Sequence, residues 1–184
     1  MSAILLDFSM PIITKRLTIR PMQPGDGKQL FAQVEKSRDN LSQWLPWVNH
    51  VRCEDDCEIT ARTFYAEYIL RKAFHLVVCL DDKIIGGVGI SQINWTIRRM
   101  NVGYWCSLNY QGKGYVTEAL NALVDFAFKH LGAQKLYILC DSENTKSINL
   151  AERTGFKIEL EALGVLDHPG NGALRLGRQY GIYA

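Results

Sequence analysis

Hydrophobic and polar positions alternate in the first part of the chain, which is the pattern of strands with one buried face. Residues 17–20 predict a first short strand, and residues 74–80 and 84–94 predict two longer strands. The polar segment 81–83 between the longer strands is a turn signal, so this pair predicts an antiparallel hairpin. Residues 98–107 predict a third strand of the same meander.

Helical segments precede and follow this meander. Asp26 can cap a helix that runs to about Ser37, and residues 54–71 predict a second helix. After the meander the period changes to 3.6 residues, which predicts a long helix that ends at Gly132. Its apolar stripe consists of Val116, Leu120, Leu123, Val124, Ala127, Phe128 and Leu131.

A further strand, residues 135–140, follows the long helix. Because a strand, a crossover helix and the next strand usually form a right-handed unit, it should lie parallel to the strand before the helix. A short helix at 146–153 and two antiparallel strands at 156–163 and 174–183 end the chain. The predicted fold class is α/β, a mixed sheet of about seven strands, mostly antiparallel with one central parallel pair, and about four helices on both faces.

Composition narrows the class of protein. The 184 residues predict a single domain, residues 1–184, and the net charge of +2 without a basic stripe argues against a nucleic-acid partner. No apolar run approaches the roughly 20 residues of a membrane span, and no basic leader precedes the first apolar residues. Five scattered cysteines indicate a reducing cytoplasm, and Cys53 and Cys57 lack the second Cys or His pair of a metal site.

A glycine-containing segment, residues 111–116, stands directly before the long helix. Glycines at a helix start let several free amide hydrogens point at one spot, where the helix dipole adds its field. The expected ligand is an anion, in particular a pyrophosphate, and the alternative is an ordinary strand-to-helix turn without a ligand. The segment is not a Walker loop, because Lys113 is followed by Gly114, and Thr117 breaks the dinucleotide-binding spacing.

Gln111, Gly114 and Val116 match Gln-x-x-Gly-x-x, and here the sequence resembles the GCN5-related N-acetyltransferase (GNAT) superfamily. The acetyl-CoA loop of that superfamily is Arg/Gln-x-x-Gly-x-Gly/Ala, so Val116 departs from its small last residue. Residues 101–105, Asn-Val-Gly-Tyr-Trp, look like the family's fourth strand, whose backbone hydrogen-bonds the pantetheine arm.

Three stretches are similar to the ribosomal-protein acetyltransferase branch, the RimJ/RimL type. Residues 41–47 match Leu-x-x-Trp-Leu-Pro-Trp, and residues 144–147 with 152–156 match its Asn-x-x-Ser to Gly-Phe segment. The branch's Asn-Gly-x-Tyr-x-Asp-x-x-x-Tyr appears at 171–180 with Leu174 and Leu176 in place of a Tyr and an Asp.

The resemblance implies an acetyl-CoA-dependent N-acetyltransferase that needs no metal and acts on a protein N-terminus, such as that of a ribosomal protein. It implies a base at Glu159, a group at Ser147 that assists thiolate departure, and a substrate cleft near Trp44 and Trp47. The superfamily's usual acid, a Tyr four residues before Gly-Phe, is replaced by Ala151. The implied cofactor-binding residues are Tyr104, Trp105, Cys106, Gln111, Gly112, Lys113, Gly114, Tyr115, Val116 and Asn144.

The sequence is also compatible with other hypotheses. The same loop would serve an acetyltransferase of a small amine or antibiotic, and the departures at Val116, Leu174 and Leu176 suit a non-catalytic acyl-CoA-binding regulatory module. A covalent route through Cys106 or Cys140 lacks a sequence cue for thiol activation. The acceptor amine and the oligomeric state, a homodimer included, are not determined by these residues.

Overall fold

The computed structural model describes residues 2–166 and 173–184, which form one eight-stranded sheet and five α-helices. The strands are β1 (Ile12–Ile13), β2 (Thr18–Pro21), β3 (Phe74–Leu80), β4 (Lys83–Asn94), β5 (Arg99–Cys106), β6 (Lys135–Asp141), β7 (Lys157–Leu163) and β8 (Leu176–Tyr183). The helices are α1 (Gly27–Glu35), α2 (Arg38–Leu41), α3 (Glu54–Ile69), α4 (Tyr115–His130) and α5 (Thr145–Arg153). Three 3₁₀ turns (Ala3–Leu5, Pro46–His50, Leu108–Tyr110) join them.

The strand order is β1-β2-β3-β4-β5-β6-β8-β7, and every neighbouring pair is antiparallel except β5 and β6. The predicted mixed sheet with one central parallel pair is confirmed. The structure adds two elements that the pattern did not predict, the two-residue strand β1 and the four-residue helix α2. Neither is long enough to display a period.

Helices cover both faces of the sheet, as predicted. On one face, α4 and α5 pack onto the even-numbered side chains of β5 and β6 and form the larger core. On the other face, α1, α2 and α3 pack onto β3 and β4 around a second core that includes Val77, Cys79 and Ile84. Among the described residues no helix has the length and apolar character that a membrane crossing requires.

Asp26 corrects one sequence prediction. It stands at the N-cap position of α1, but its side chain makes no capping hydrogen bond to the helix. The carboxylate accepts two hydrogen bonds from Arg20, at 2.7 and 2.8 Å, and one from the Gln23 amide. Burial explains the difference, because a carboxylate that is only 5% exposed is stabilised most by a charged partner.

We expect Leu123→Ala to lower the free energy of unfolding by about 2 to 5 kcal/mol, because removing this fully buried side chain of α4 would leave a cavity in the larger core. The measurement is chemical denaturation of both variants and the wild type. Ile59→Ala on α3 is the control: Ile59 is 63% exposed, so this variant should cost no more than about 0.5 kcal/mol. Equal losses in the two variants would contradict the assigned core.

Candidate active site

The sheet opens between its two parallel strands. β5 and β6 share three registered pairs, Arg99 with Lys135, Met100 with Leu136 and Asn101 with Tyr137, and no further pair follows. β5 continues to pair with β4 as far as Cys106, and β6 continues to pair with β8 as far as Asp141. The gap between residues 102–106 and 138–141 is called the wedge below.

One edge of β5 therefore presents main-chain groups to the wedge. The Arg98 carbonyl accepts from Lys135 on the β6 side at 3.2 Å, whereas the Ser107 amide donates to Ile85 on the β4 side at 2.9 Å. Because successive strand residues direct their N–H and C=O groups to opposite edges, the Val102 carbonyl, both groups of Tyr104 and the Cys106 amide face the wedge. The Cys106 carbonyl accepts from Gln111. An extended ligand could hydrogen-bond there as an additional strand.

The segment 111–116, called the glycine loop below, lies between β5 and α4. Gly112 and Gly114 have φ values of +74° and +78°, which L side chains rarely adopt. A Cβ atom at Gly112 would meet nothing within 4 Å, so the space above the loop is open. The first-turn amides of α4 have no helical acceptor, and the loop exposes them at the positive end of the helix dipole.

Val116 departs from the usual small residue without blocking this space. It is the second residue of α4, half-buried, and its side chain packs against the larger core. Val116 therefore leaves the backbone at Gly112 and Gly114 accessible to a ligand.

Cations surround the glycine loop. Lys146 at the start of α5 donates to Gln111 Oε1 at 3.0 Å, and Gln111 Nε2 donates to Asn40 at 2.9 Å and to the Cys106 carbonyl at 3.2 Å. Arg153 donates to the Thr117 hydroxyl at 3.1 Å. With Lys113 in the loop itself, these positive charges and the amide groups fit a polyphosphate.

Arg16 fastens the loop from the other end of the sequence. Its guanidinium donates to the Lys113 carbonyl at 3.0 Å and to Glu118 at 2.6 Å, and it stacks on the Tyr115 ring at 4.6 Å. Burial raises the pKa of Glu118, but hydrogen bonds from Thr14 and Arg16 outweigh this effect and leave the pKa below its ordinary value. The loop is thus held by an ion pair before any ligand arrives.

Three polar side chains meet on the α5 side of the wedge. The hydroxyl oxygens of Tyr104 on β5 and Ser147 on α5 lie 2.7 Å apart. Ser147 also lies near the Cys140 thiol of β6, whose pKa it lowers against a larger rise from burial. Asn144 is the N-cap of α5, and its Oδ1 accepts from the Ser147 amide at 3.1 Å. Asn144 therefore positions Ser147 directly.

The two cysteines beside the wedge are poor nucleophiles. Burial raises the pKa of Cys106 to about 11 and also raises the pKa of Cys140. Since the thiolate is the reactive form, neither residue is activated for a covalent step. Within the described part of the chain, no group of three or more His, Cys, Asp or Glu residues has a metal-binding arrangement.

The opposite side of the wedge carries aromatic and charged side chains. Trp105 points to this side, and the exposed ring of Trp47 packs edge-on against it at 6.0 Å. Half-buried Trp44 lies under the guanidinium of Arg175 at 5.6 Å. Arg175 also lies 3.0 Å from Asp141 Oδ2, an ion pair without hydrogen-bond geometry. We call this the tryptophan side.

Glu159 lies on the same face of the sheet but farther along it. Its carboxylate accepts from Lys135 at 2.7 Å, from Gln179 at 2.9 Å and from the Tyr183 hydroxyl. Burial raises its pKa, but these three hydrogen bonds prevail and the pKa falls below the ordinary value. The carboxylate lies directly over Gly181 of β8, whose register partner is Tyr137, the last residue of β6 that pairs with β5. Glu159 therefore lies where the wedge closes.

The structure thus brings together most of the predicted residues around the wedge, while Glu159 is held at its closed end. Leu174 and Leu176 are exposed, and Asn171 and Gly172 of the C-terminal motif lie outside the described residues. Sequence reasoning missed Arg16, Lys146, Arg153 and Arg175, whose only signal was a positive charge.

Comparison with known proteins agrees with this geometry. Residues 16–157 match the family described as Acetyltransferase (GNAT) domain. Spermidine N(1)-acetyltransferase of Escherichia coli K12 is 37% identical over 148 residues, which cover 79% of this chain and 75% of that protein. Ribosomal-protein-serine acetyltransferase of the same strain is 25% identical over 150 residues, covering 80% and 82%.

Solved structures share the fold. RimL, a ribosomal L7/L12 alpha-N-protein acetyltransferase in complex with coenzyme A, superposes with a TM-score of 0.88 at 19% identity, covering 95% of this chain and 98% of that one. The chain belongs to the GNAT acetyltransferase family. The family assignment makes it an enzyme of the N-acetyltransferase class, in agreement with the sequence prediction.

We expect Gly114→Ala to weaken CoA binding by about tenfold, because an alanine at positive φ costs about 1 to 2 kcal/mol and would reshape the loop. Calorimetric titration with CoA gives the dissociation constant. Gly25→Ala is the matched control, since Gly25 has φ +98° and an open Cβ position outside the loop. CoA affinity that is equally reduced in both variants would show that the loop has no special role.

Proposed function

We propose that the protein transfers the acetyl group of acetyl-CoA to the N-terminal α-amine of a protein, a ribosomal protein being the first candidate. The observation that supports acetyl-CoA as the donor is the wedge, where the edge of β5 no longer pairs with β6 and presents main-chain groups to an extended pantetheine arm. The glycine loop and its cations suit the pyrophosphate. Acetyl-CoA supplies the activated acyl group.

Direct attack by the amine is the proposed route. High thiol pKa values at Cys106 and Cys140 disfavour an acyl-enzyme. The amides of Tyr104 and Cys106 are proposed to stabilise the oxyanion, and Ser147 is proposed to hydrogen-bond the departing sulfur. An α-amine with a pKa of about 7.7 to 8.0 is partly neutral near pH 7.5, so a carboxylate such as Glu159 acting through water suffices as base.

The tryptophan side supports a peptide acceptor. Its carboxylates already have cationic partners: Asp141 pairs with Arg175 and Glu159 with Lys135. The Trp47 and Trp105 rings offer apolar area to the residues that follow an N-terminal amine. Relatives named for ribosomal-protein acetylation lend further support.

A small polyamine is the second candidate acceptor. The specific observation that favours it is the 37% identity to spermidine N(1)-acetyltransferase, which exceeds the identity to the ribosomal-protein relative.

A cytoplasmic location is also part of the proposal, because all five cysteines are free and four of them are buried.

The acceptor is tested by presenting the enzyme and acetyl-CoA with N-terminal peptides of ribosomal proteins and, separately, with spermidine. We expect kcat/KM for the best peptide to exceed that for spermidine by at least about tenfold, and to rise with pH through about 7.7 to 8.0 as the α-amine loses its proton. An Nα-blocked peptide should be inert. A preference for spermidine would overturn the peptide half, and no transfer to any amine would overturn the enzymatic proposal.

Glu159→Gln should lower kcat/KM for the peptide by about 10²-fold near neutral pH and by less at high pH, where the amine is neutral without help. CoA affinity should not change, because Glu159 lies away from the glycine loop. Glu161→Gln is the matched control, since Glu161 is the neighbouring β7 carboxylate and is paired with Arg178. If the two variants lose the same activity, Glu159 is not the base.

A further inference from the structure

Tyr104 makes a contact that binding of the pantetheine arm does not require. Its backbone faces the wedge, but its hydroxyl reaches across to α5, where it lies 2.7 Å from Ser147 Oγ and 3.3 Å from the Ser147 carbonyl. Forty-three residues separate the two positions in sequence. The two hydroxyl groups therefore meet on the α5 side of the wedge.

Helix α5 has other contacts that hold it in position. Its first turn is capped by Asn144, and Ile148, Leu150 and Ala151 anchor it in the larger core. Ala151 also means that α5 carries no tyrosine hydroxyl of its own one turn after Ser147. The fold instead brings the phenol of Tyr104 from β5 to Ser147.

The proton balance of amide formation shows what the two hydroxyls must do. The attacking nitrogen loses one proton and the thioester releases one thiolate, and together these give the free thiol. The hydroxyls need supply no net proton. They need only donate hydrogen bonds while negative charge builds on sulfur, which a serine does best when a second donor fixes its orientation.

We propose that Tyr104 is a positioning residue that donates to Ser147 Oγ and so directs the Ser147 proton at the sulfur of the leaving thiol. This inference rests on the proposed function, because it takes the thioester to lie in the wedge. Ser147 touches the reacting atom, and Tyr104 acts through it.

The surroundings keep Tyr104 protonated. Burial raises its pKa well above the ordinary tyrosine value, and Ser147 and Arg153 only partly oppose this rise. The other titratable groups near its hydroxyl are Cys140 on β6 and Tyr180 on β8, and burial raises both pKa values as well. A stable neutral phenol is the donor that this role needs.

The first experiment is a binding measurement. Calorimetry gives the ratio of dissociation constants for desulfo-CoA and CoA, which isolates the contribution of the sulfur. From about pH 7 to about pH 9.5, across the pKa of about 8.5 of a free thiol, this ratio should rise on the order of tenfold in the wild type, because a bound thiolate is stabilised. Tyr104→Phe and Ser147→Ala should each reduce the rise to less than about twofold.

Tyr180→Phe is the matched control. Tyr180 is also packed against the larger core, where it is 1% exposed, and it hydrogen-bonds α5 through Glu152 at 3.3 Å. This variant should keep the full rise. A full rise in Tyr104→Phe, or no rise in the wild type, would overturn the inference. If Tyr104→Phe does not fold, the crystal structure of the wild-type CoA complex decides, and a sulfur beyond hydrogen-bond reach of Ser147 Oγ would refute it.

Kinetics separates this inference from the proposed function. Tyr104→Phe should lower kcat by about tenfold with KM for acetyl-CoA unchanged, and adding it to Ser147→Ala should cost nothing more. If the double variant loses the full sum of the two single-variant effects on the activation free energy, the two hydroxyls act independently. If the wild type transfers the acetyl group and Tyr104→Phe has the same kcat, only the positioning role is refuted. If the wild type transfers no acetyl group, the proposed function is refuted.

Discussion

The divergence of β5 from β6 is the constraint on which the site depends. A sheet that stops pairing in its interior leaves main-chain groups that need another hydrogen-bond partner, and a buried group without one is costly. β4 pairs with the other edge of β5 as far as Cys106, so the open edge keeps the geometry of a regular strand. Because α4 follows β5 and α5 follows β6, the glycine loop and Ser147 arrive at the same opening. The ligand groove is thus a consequence of topology.

The elements that the sequence predicts well are those with a period. The β3–β4 hairpin, the apolar stripe of α4 and the parallel relation of β5 to β6 follow from alternation, helical spacing and the crossover rule. β1 and α2 are too short to repeat a pattern. Asp26 has the right residue type for a cap, but Arg20 competes for its carboxylate, and such competition is settled by tertiary packing.

The residues of the site also divide into those that the sequence predicts and those that it does not. The glycine loop is predictable because its chemistry lies in consecutive residues before a helix. The contacts that hold it are not, since Arg16 and Glu118 are 102 residues apart and Tyr104 and Ser147 are 43 apart. A long-range pair has no local period and no fixed spacing. Only the shared sheet brings these partners together.

Charge pairing on the tryptophan side bears most directly on the acceptor. A polycation gains affinity from carboxylates that lack partners, whereas Asp141 and Glu159 each face a cation of the protein itself. Displacing Arg175 or Lys135 would exchange one ion pair for another, with little net gain in free energy. An acceptor with a single amine and an apolar continuation would leave these pairs intact and bury its remaining surface on Trp47 and Trp105. The charge pairing is therefore the electrostatic argument for the proposed peptide acceptor over a polyamine.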